Sequence, residues 1–136
     1  MKLNYILFSL FVCLISSVVH AQDCDRLFFS EYVVGNGNNR AIELYNPTSE
    51  PIDLDGYVIE RWSNGEQLAT DELNLQGVIP AYGTWVVVNG QTEDINLGVF
   101  ISPACDPALQ ALADQLDNPY PAPMYMNGND ALVLLN

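Results

Sequence analysis

The sequence predicts an all-β sandwich, on three observations. Short apolar runs recur from Leu27 onward, most alternate apolar and polar residues, and clusters of Gly, Asn and Pro separate them. Residues 27–59 hold the pattern in its clearest form, as three such runs divided by two polar, turn-forming loops.

The first strand is expected over Leu27–Val34. Phe28, Ser30, Tyr32 and Val34 would face one way, and Phe29, Glu31 and Val33 the other. Gly35-Asn36-Gly37-Asn38-Asn39 then turns the chain, because Gly and Asn accept positive φ readily. A phosphate-cradling loop would need a helix N-terminus behind it, and here a strand pattern follows. That second strand runs from Arg40 to Tyr45, with Ile42 and Leu44 on one face, and Pro47 and Pro51 mark its end. Ile52-Asp53-Leu54 leads through an Asp55-Gly56 turn into a third strand, Tyr57–Trp62. In it Tyr57, Ile59 and Arg61 alternate with Val58, Glu60 and Trp62. Ser63–Thr70 is polar and reads as a loop. Leu73, Leu75 and Gly77 alternate with Asn74, Gln76 and Val78, which predicts one half-buried fourth strand. Pro80 and Gly83 punctuate a turn. Thr84–Asn89, with three consecutive valines, predicts a strand buried on both faces.

The strand rhythm lapses at Gln91. Asp106 followed by Pro107 supplies an N-cap acceptor and a first-turn proline. Leu109, Leu112, Ala113 and Leu116 then recur at helical spacing, so one short helical insertion near residues 106–116, about three turns long, is expected. Pro119, Pro121 and Pro123 end it in extended backbone. Met124–Met126, an Asn127-Gly128-Asn129 turn and Ala131–Leu135 follow as strand, turn and strand. The last strand is apolar with one residue after it, so a further strand, absent from this chain, is expected to cover its edge.

Residues 1–21 read as a signal peptide. Lys2 precedes an apolar stretch from Ile6 to Val19, and Val19-His20-Ala21 places cleavage between Ala21 and Gln22. The apolar stretch falls short of the ~20 residues that span a bilayer. The expected product is an exported chain, residues 22–136, secreted or at the cell surface, forming one domain with no membrane span. It keeps all 17 acids and only Arg26, Arg40 and Arg61 as bases, a net charge of −14. Such a surface repels phosphate backbones and anionic lipid, so no direct nucleic-acid binding is expected. Cys24 and Cys105 remain, and an oxidising compartment favours a disulfide between them. Two thiols or an intermolecular bond are the alternatives.

Several motifs in order resemble the lamin-tail domain in its bacterial exported form. They are Ser30-Glu31-Tyr32, Gly37-Asn38-Asn39, Ala41-Ile42-Glu43-Leu44-Tyr45-Asn46-Pro47, Ile52-Asp53-Leu54-Asp55-Gly56-Tyr57, the hairpin with Pro80 and Gly83, and residues 127–134. The resemblance implies an immunoglobulin-like β-sandwich that serves as an accessory module in exported proteins, often beside nucleases, phosphatases or other hydrolases. It carries no catalytic residues onto this chain. The insertion over residues 102–123 is longer than the family pattern, and the family's closing strand is absent.

Residues 22–136 lack His and Lys, so their serines have no usual base, and two cysteines do not make a zinc site. No catalytic set is expected. Glu31 and Glu43 are the carboxylates most readily brought together by adjacent strands. They would serve either as an acid–base pair or as strand-face acids satisfied by Arg40 or Arg61. No cofactor is expected. Calcium is the one candidate ion, with Asp53, Asp55, Asn127, Asn129 and Asp130 as oxygen donors, against the local preference of Asp and Asn for turns. Tyr57, Trp62, Tyr82, Trp85, Tyr120 and Tyr125 could stack glycans, with Trp62 expected to be exposed and Trp85 in the core. Three readings follow. The first is a non-catalytic adhesion, spacer or protein-interaction module of a multidomain extracellular protein. The second is the accessory domain of an extracellular hydrolase whose catalytic domain lies beyond Asn136. The third is a glycan- or calcium-binding module.

Overall fold

The computed structural model describes residues 25–136. Ala21, Gln22 and Cys24, and with them the cleavage site and one partner of the expected disulfide, lie outside the described residues. In chain order the strands are β1 (Phe28–Val34), β2 (Arg40–Tyr45), β3 (Ile52–Asp53), β4 (Val58–Trp62), β5 (Asp71–Asn74), β6 (Val78–Ile79), β7 (Thr84–Val88), β8 (Ile95–Asn96), β9 (Ile101–Ser102), β10 (Gln115–Leu116) and β11 (Ala131–Leu135). A single-turn helix α1 (Pro107–Gln110) precedes β10.

These strands form the expected all-β, immunoglobulin-like sandwich. One sheet has the order β1-β2-β7-β10, the other β11-β4-β5, with β3–β6 and β8–β9 as short antiparallel pairs. Alternation decides the core. Ile42, Leu44 and Val87 from the first sheet meet Ile59 and Leu73 from the second, with Leu54, Leu75, Ile79, Met124 and Met126 filling between them. Each large apolar side chain buried in this way contributes roughly 1.5–3 kcal/mol. Asn46 is fully buried at the end of β2. Its Nδ2 donates to the carbonyls of Glu50, Ile79 and Pro80, and its Oδ1 accepts from the Thr48 N–H and hydroxyl. One side chain thus fixes the loop after β2 to the turn before β7.

Arg61 faces inward with Ile59, as the alternation required. Its guanidinium meets the Asp71 carboxylate (Nε to Oδ2, 2.9 Å), the Asp130 carboxylate (3.4 Å) and the Tyr125 carbonyl (3.3 Å). A charge at a core-facing position persists because acids from β5 and from the turn before β11 converge on it.

Five expectations change in detail, the shortest being Met124–Met126, where a 3-10 turn over Pro123–Tyr125 replaces the expected strand. β1 carries a bulge at Ser30, since Phe29 opposes Leu44 while Glu31 opposes Glu43. The extra residue moves Phe28 onto the face of Glu31 and Val33. The expected fourth strand is two strands in different sheets, because Gly77 at φ +120° breaks it before β6 turns to pair with β3. The helical insertion is present but shorter than expected. Asp106 caps α1 by accepting from the Ala108 N–H at 2.8 Å, yet Leu112 is 69% exposed. The backbone beyond it joins the sheet instead: Asp114 and Asp117 donate to the carbonyls of Val86 and Val88, and β10 lies parallel to β7. An open sheet edge outcompetes two further helical turns. Last, β11 is paired with β4, and only its other edge has no strand partner among the described residues.

Candidate interaction face

The outer face of the first sheet divides into two halves. One half is covered. Ala41 and Val88 lie beneath Cys105, with Val86, Leu109 and Ala113 packed around them. This layer is why Val88 is buried on this face, while Val87 is buried on the other and Val86 is half-buried. The other half is open. The bulge sets Phe28 edge-on to Tyr45, with ring centroids 5.7 Å apart, and register sets Glu31 directly across from Glu43. Thr84 on β7 completes the row opposite Tyr45.

Like charges directly opposed in a sheet destabilise it. No ion pair among the described residues relieves this one. The Arg40 Nε donates to the Met126 carbonyl at 2.6 Å, and its Nη1 is turned to Gly37 and Asn38. Arg61 is committed inside the sandwich. The expected arginine partner is therefore replaced by Ser30, whose hydroxyl donates to Glu43 Oε1 at 2.6 Å. The bulge that repositions Phe28 also supplies this donor, and neither effect can be read from the alternation. The second sheet repeats the theme: Glu60 opposes Glu72, and Glu60 accepts from the Trp62 indole at 3.0 Å. Trp62 is half-buried rather than free at a strand end.

The calcium donors are not gathered. Asp53 Oδ1 accepts from the Asp55 N–H within its own turn. Asp130 accepts from Arg61, from the Asn64 N–H and from the Asn127 N–H, while Asn127 Oδ1 accepts from the Asn129 N–H. Local turn chemistry explains the first set and the Asn127 contacts, and Arg61 and Asn64 hold Asp130 from across the fold. Among the described residues no group of three His, Cys, Asp or Glu side chains forms a metal site.

A second feature lies at the seam between the sheets. Gln115 bridges β10 to β5, accepting from the Gln76 N–H at 3.1 Å and donating to the Asn74 carbonyl at 2.9 Å. A cleft of about 480 Å³ opens there, lined mainly by Glu72, Asn74, Gln76, Trp85, Asp114 and Asn118. Trp85 packs against the core, as expected, but it also lines this cleft. Its indole rests on Gly77, where an added Cβ would come within 2.3 Å of the ring. Just past β10, Asp117 is buried with no cation in contact. It accepts from the backbone N–H groups of Asn118 and Met124, both at 2.7 Å. Burial raises its carboxyl to about 6 against that hydrogen bonding.

Cys105, in the insertion itself, is buried at 2% exposure. No helix among the described residues is long and apolar enough to cross a membrane. A family model described as Lamin Tail Domain matches residues 20–136. The comparisons with curated proteins and with solved structures returned no match.

Proposed function

The chain belongs to the lamin tail domain family, and we propose that it is a non-catalytic adhesion, spacer or protein-interaction module of an exported, multidomain extracellular protein. Family membership supports the coarser part, an immunoglobulin-like interaction domain. The observation that carries the finer part is the open half of the outer face. Two aromatic rings stand beside a Glu31–Glu43 pair that no cation of the described chain neutralises. A partner surface with apolar and basic groups would cover the rings and relieve the repulsion. Export rests on the Lys2 start, the Ile6–Val19 stretch and the Ala21–Gln22 junction.

A photo-crosslinking residue at Thr84, which is exposed on the open half, tests the interaction in the producing cell. The expected result is a discrete protein adduct in the exported fraction, on a chain whose first residue is Gln22. The same probe at Glu66, in the loop after β4, should give none. Absence of an adduct from Thr84 would overturn the interaction reading, and retention of residues 1–21 would overturn export.

A further inference from the structure

We propose that the cleft between β5 and β10 is a binding site for neutral saccharides. It is distinct from the open half of the first sheet, so either assignment can fail without the other.

Four observations converge on this chemistry. First, the Trp85 Nε1–H is buried and has no acceptor, alone among the buried side-chain polar atoms of the described residues. Such a donor is costly to leave unmade. Second, the lining is rich in exposed polar groups that are free to meet a ligand. The side chains of Glu72, Asn74, Gln76 and Asn118 make no hydrogen bond to the described residues, whereas Gln115 is fully used in the seam. Amides offer a donor and an acceptor side by side, which is what a row of sugar hydroxyls presents.

Third, the lining disfavours anions and lipids. No Arg lines the cleft to hold phosphate or carboxylate, and Glu72 and Asp114 repel both. Beyond Trp85 the apolar lining is Leu73 and Leu116, too little for a lipid. Fourth, the site is held in place beforehand. Gly77 lets the indole approach the backbone closely, and the Val86 N–H donates to Asp114 Oδ2 at 2.8 Å. A fixed aromatic beside fixed acceptors lowers the ordering cost of binding a flexible, weakly interacting ligand. The volume lies within the range of small-molecule sites.

The indole N–H is the direct reporter, because the protein has two tryptophans and a Trp62→Phe background leaves one signal. The full-length protein labelled with ¹⁵N-tryptophan is titrated in chelator with cellohexaose, xylohexaose, mannohexaose and maltohexaose. An oligogalacturonide of the same length is the anionic control. At about 10 mM ligand, even a Kd of about 1 mM gives near saturation. The Trp85 signal is expected to move and saturate with at least one neutral hexaose and to stay still with the galacturonide. An Asn74→Ala/Gln76→Ala variant keeps the backbone groups that Gln115 uses, and it should bind about 10-fold more weakly or worse. The proposal is overturned if no neutral hexaose moves the signal, if the galacturonide moves it equally, or if the double variant binds as well as the parent.

Discussion

The covered and open halves of the first sheet's outer face are made by the same neighbouring strands, yet they differ in every chemical respect. Under the insertion stand Ala41 and Val88, small and apolar, sealed by Cys105 and Leu109. Two residues away along β2 stand Glu43 and then Tyr45, with Glu31 and Phe28 across from them. A sheet in water would carry polar residues over the whole of that face. The boundary therefore records where another layer sits. On the covered side that layer is the segment around α1. On the open side no described residue provides it, and a partner is the proposed cover for the aromatic rings beside the opposed acids.

The largest effect should come from erasing this boundary in the covered half. Ala41→Glu would bury a carboxylate beneath Leu109 and cost more than about 3 kcal/mol, read as a collapse of the denaturation midpoint or loss of soluble protein. An Ala41→Glu variant as stable as the parent would show that the insertion does not seal that face.

The next effect concerns the strand that the insertion adds. Asp117 has a folded pKa of about 6, above its ordinary 3.8. A raised carboxyl favours the protonated fold, so its contribution is fully present below about pH 4 and is lost as pH rises through 6. The stability of the parent minus that of Asp117→Asn should therefore fall by roughly 2 kcal/mol between about pH 4 and pH 7, by denaturant titration at each pH. A flat difference would mean that Asp117 is solvated and β10 loosely held.

Much of this was legible in the sequence, and the exceptions share a cause. Period-two alternation located β1, β2 and β4 and put Ile42 with Leu44 on one face, and apolar runs located β7 and β11. The valine run announced burial on both faces, and Asp106-Pro107 located the start of α1. What escaped depends on partners distant along the chain. The two-residue strands β8, β9 and β10 are too short to carry a period, and β10 exists because β7 offers it an edge. The bulge at Ser30 is a matter of register between strands. The cleft escaped for the same reason, since it joins residues 72–76 to Trp85 and to residues 114–118 across the seam. Trp85 was correctly read as packing on the core, but one apolar run cannot reveal that the same ring also lines a polar cleft. Glu31 and Glu43 were paired from the sequence because adjacent strands suffice to do so, while the donor that satisfies Glu43 came from the bulge.

The smallest effect on stability belongs to the open half, and it separates binding from folding. In a Glu31→Gln/Glu43→Gln variant the opposed charges vanish, so stability should hold or rise by up to about 1 kcal/mol. The adduct formed through Thr84 in the producing cell should be lost. Measuring both on the same protein is the decisive experiment. Unchanged or greater stability with loss of the adduct is the result expected of a face kept for a partner. Reduced stability with the adduct intact would contradict it, and would mean that the two glutamates serve the fold alone.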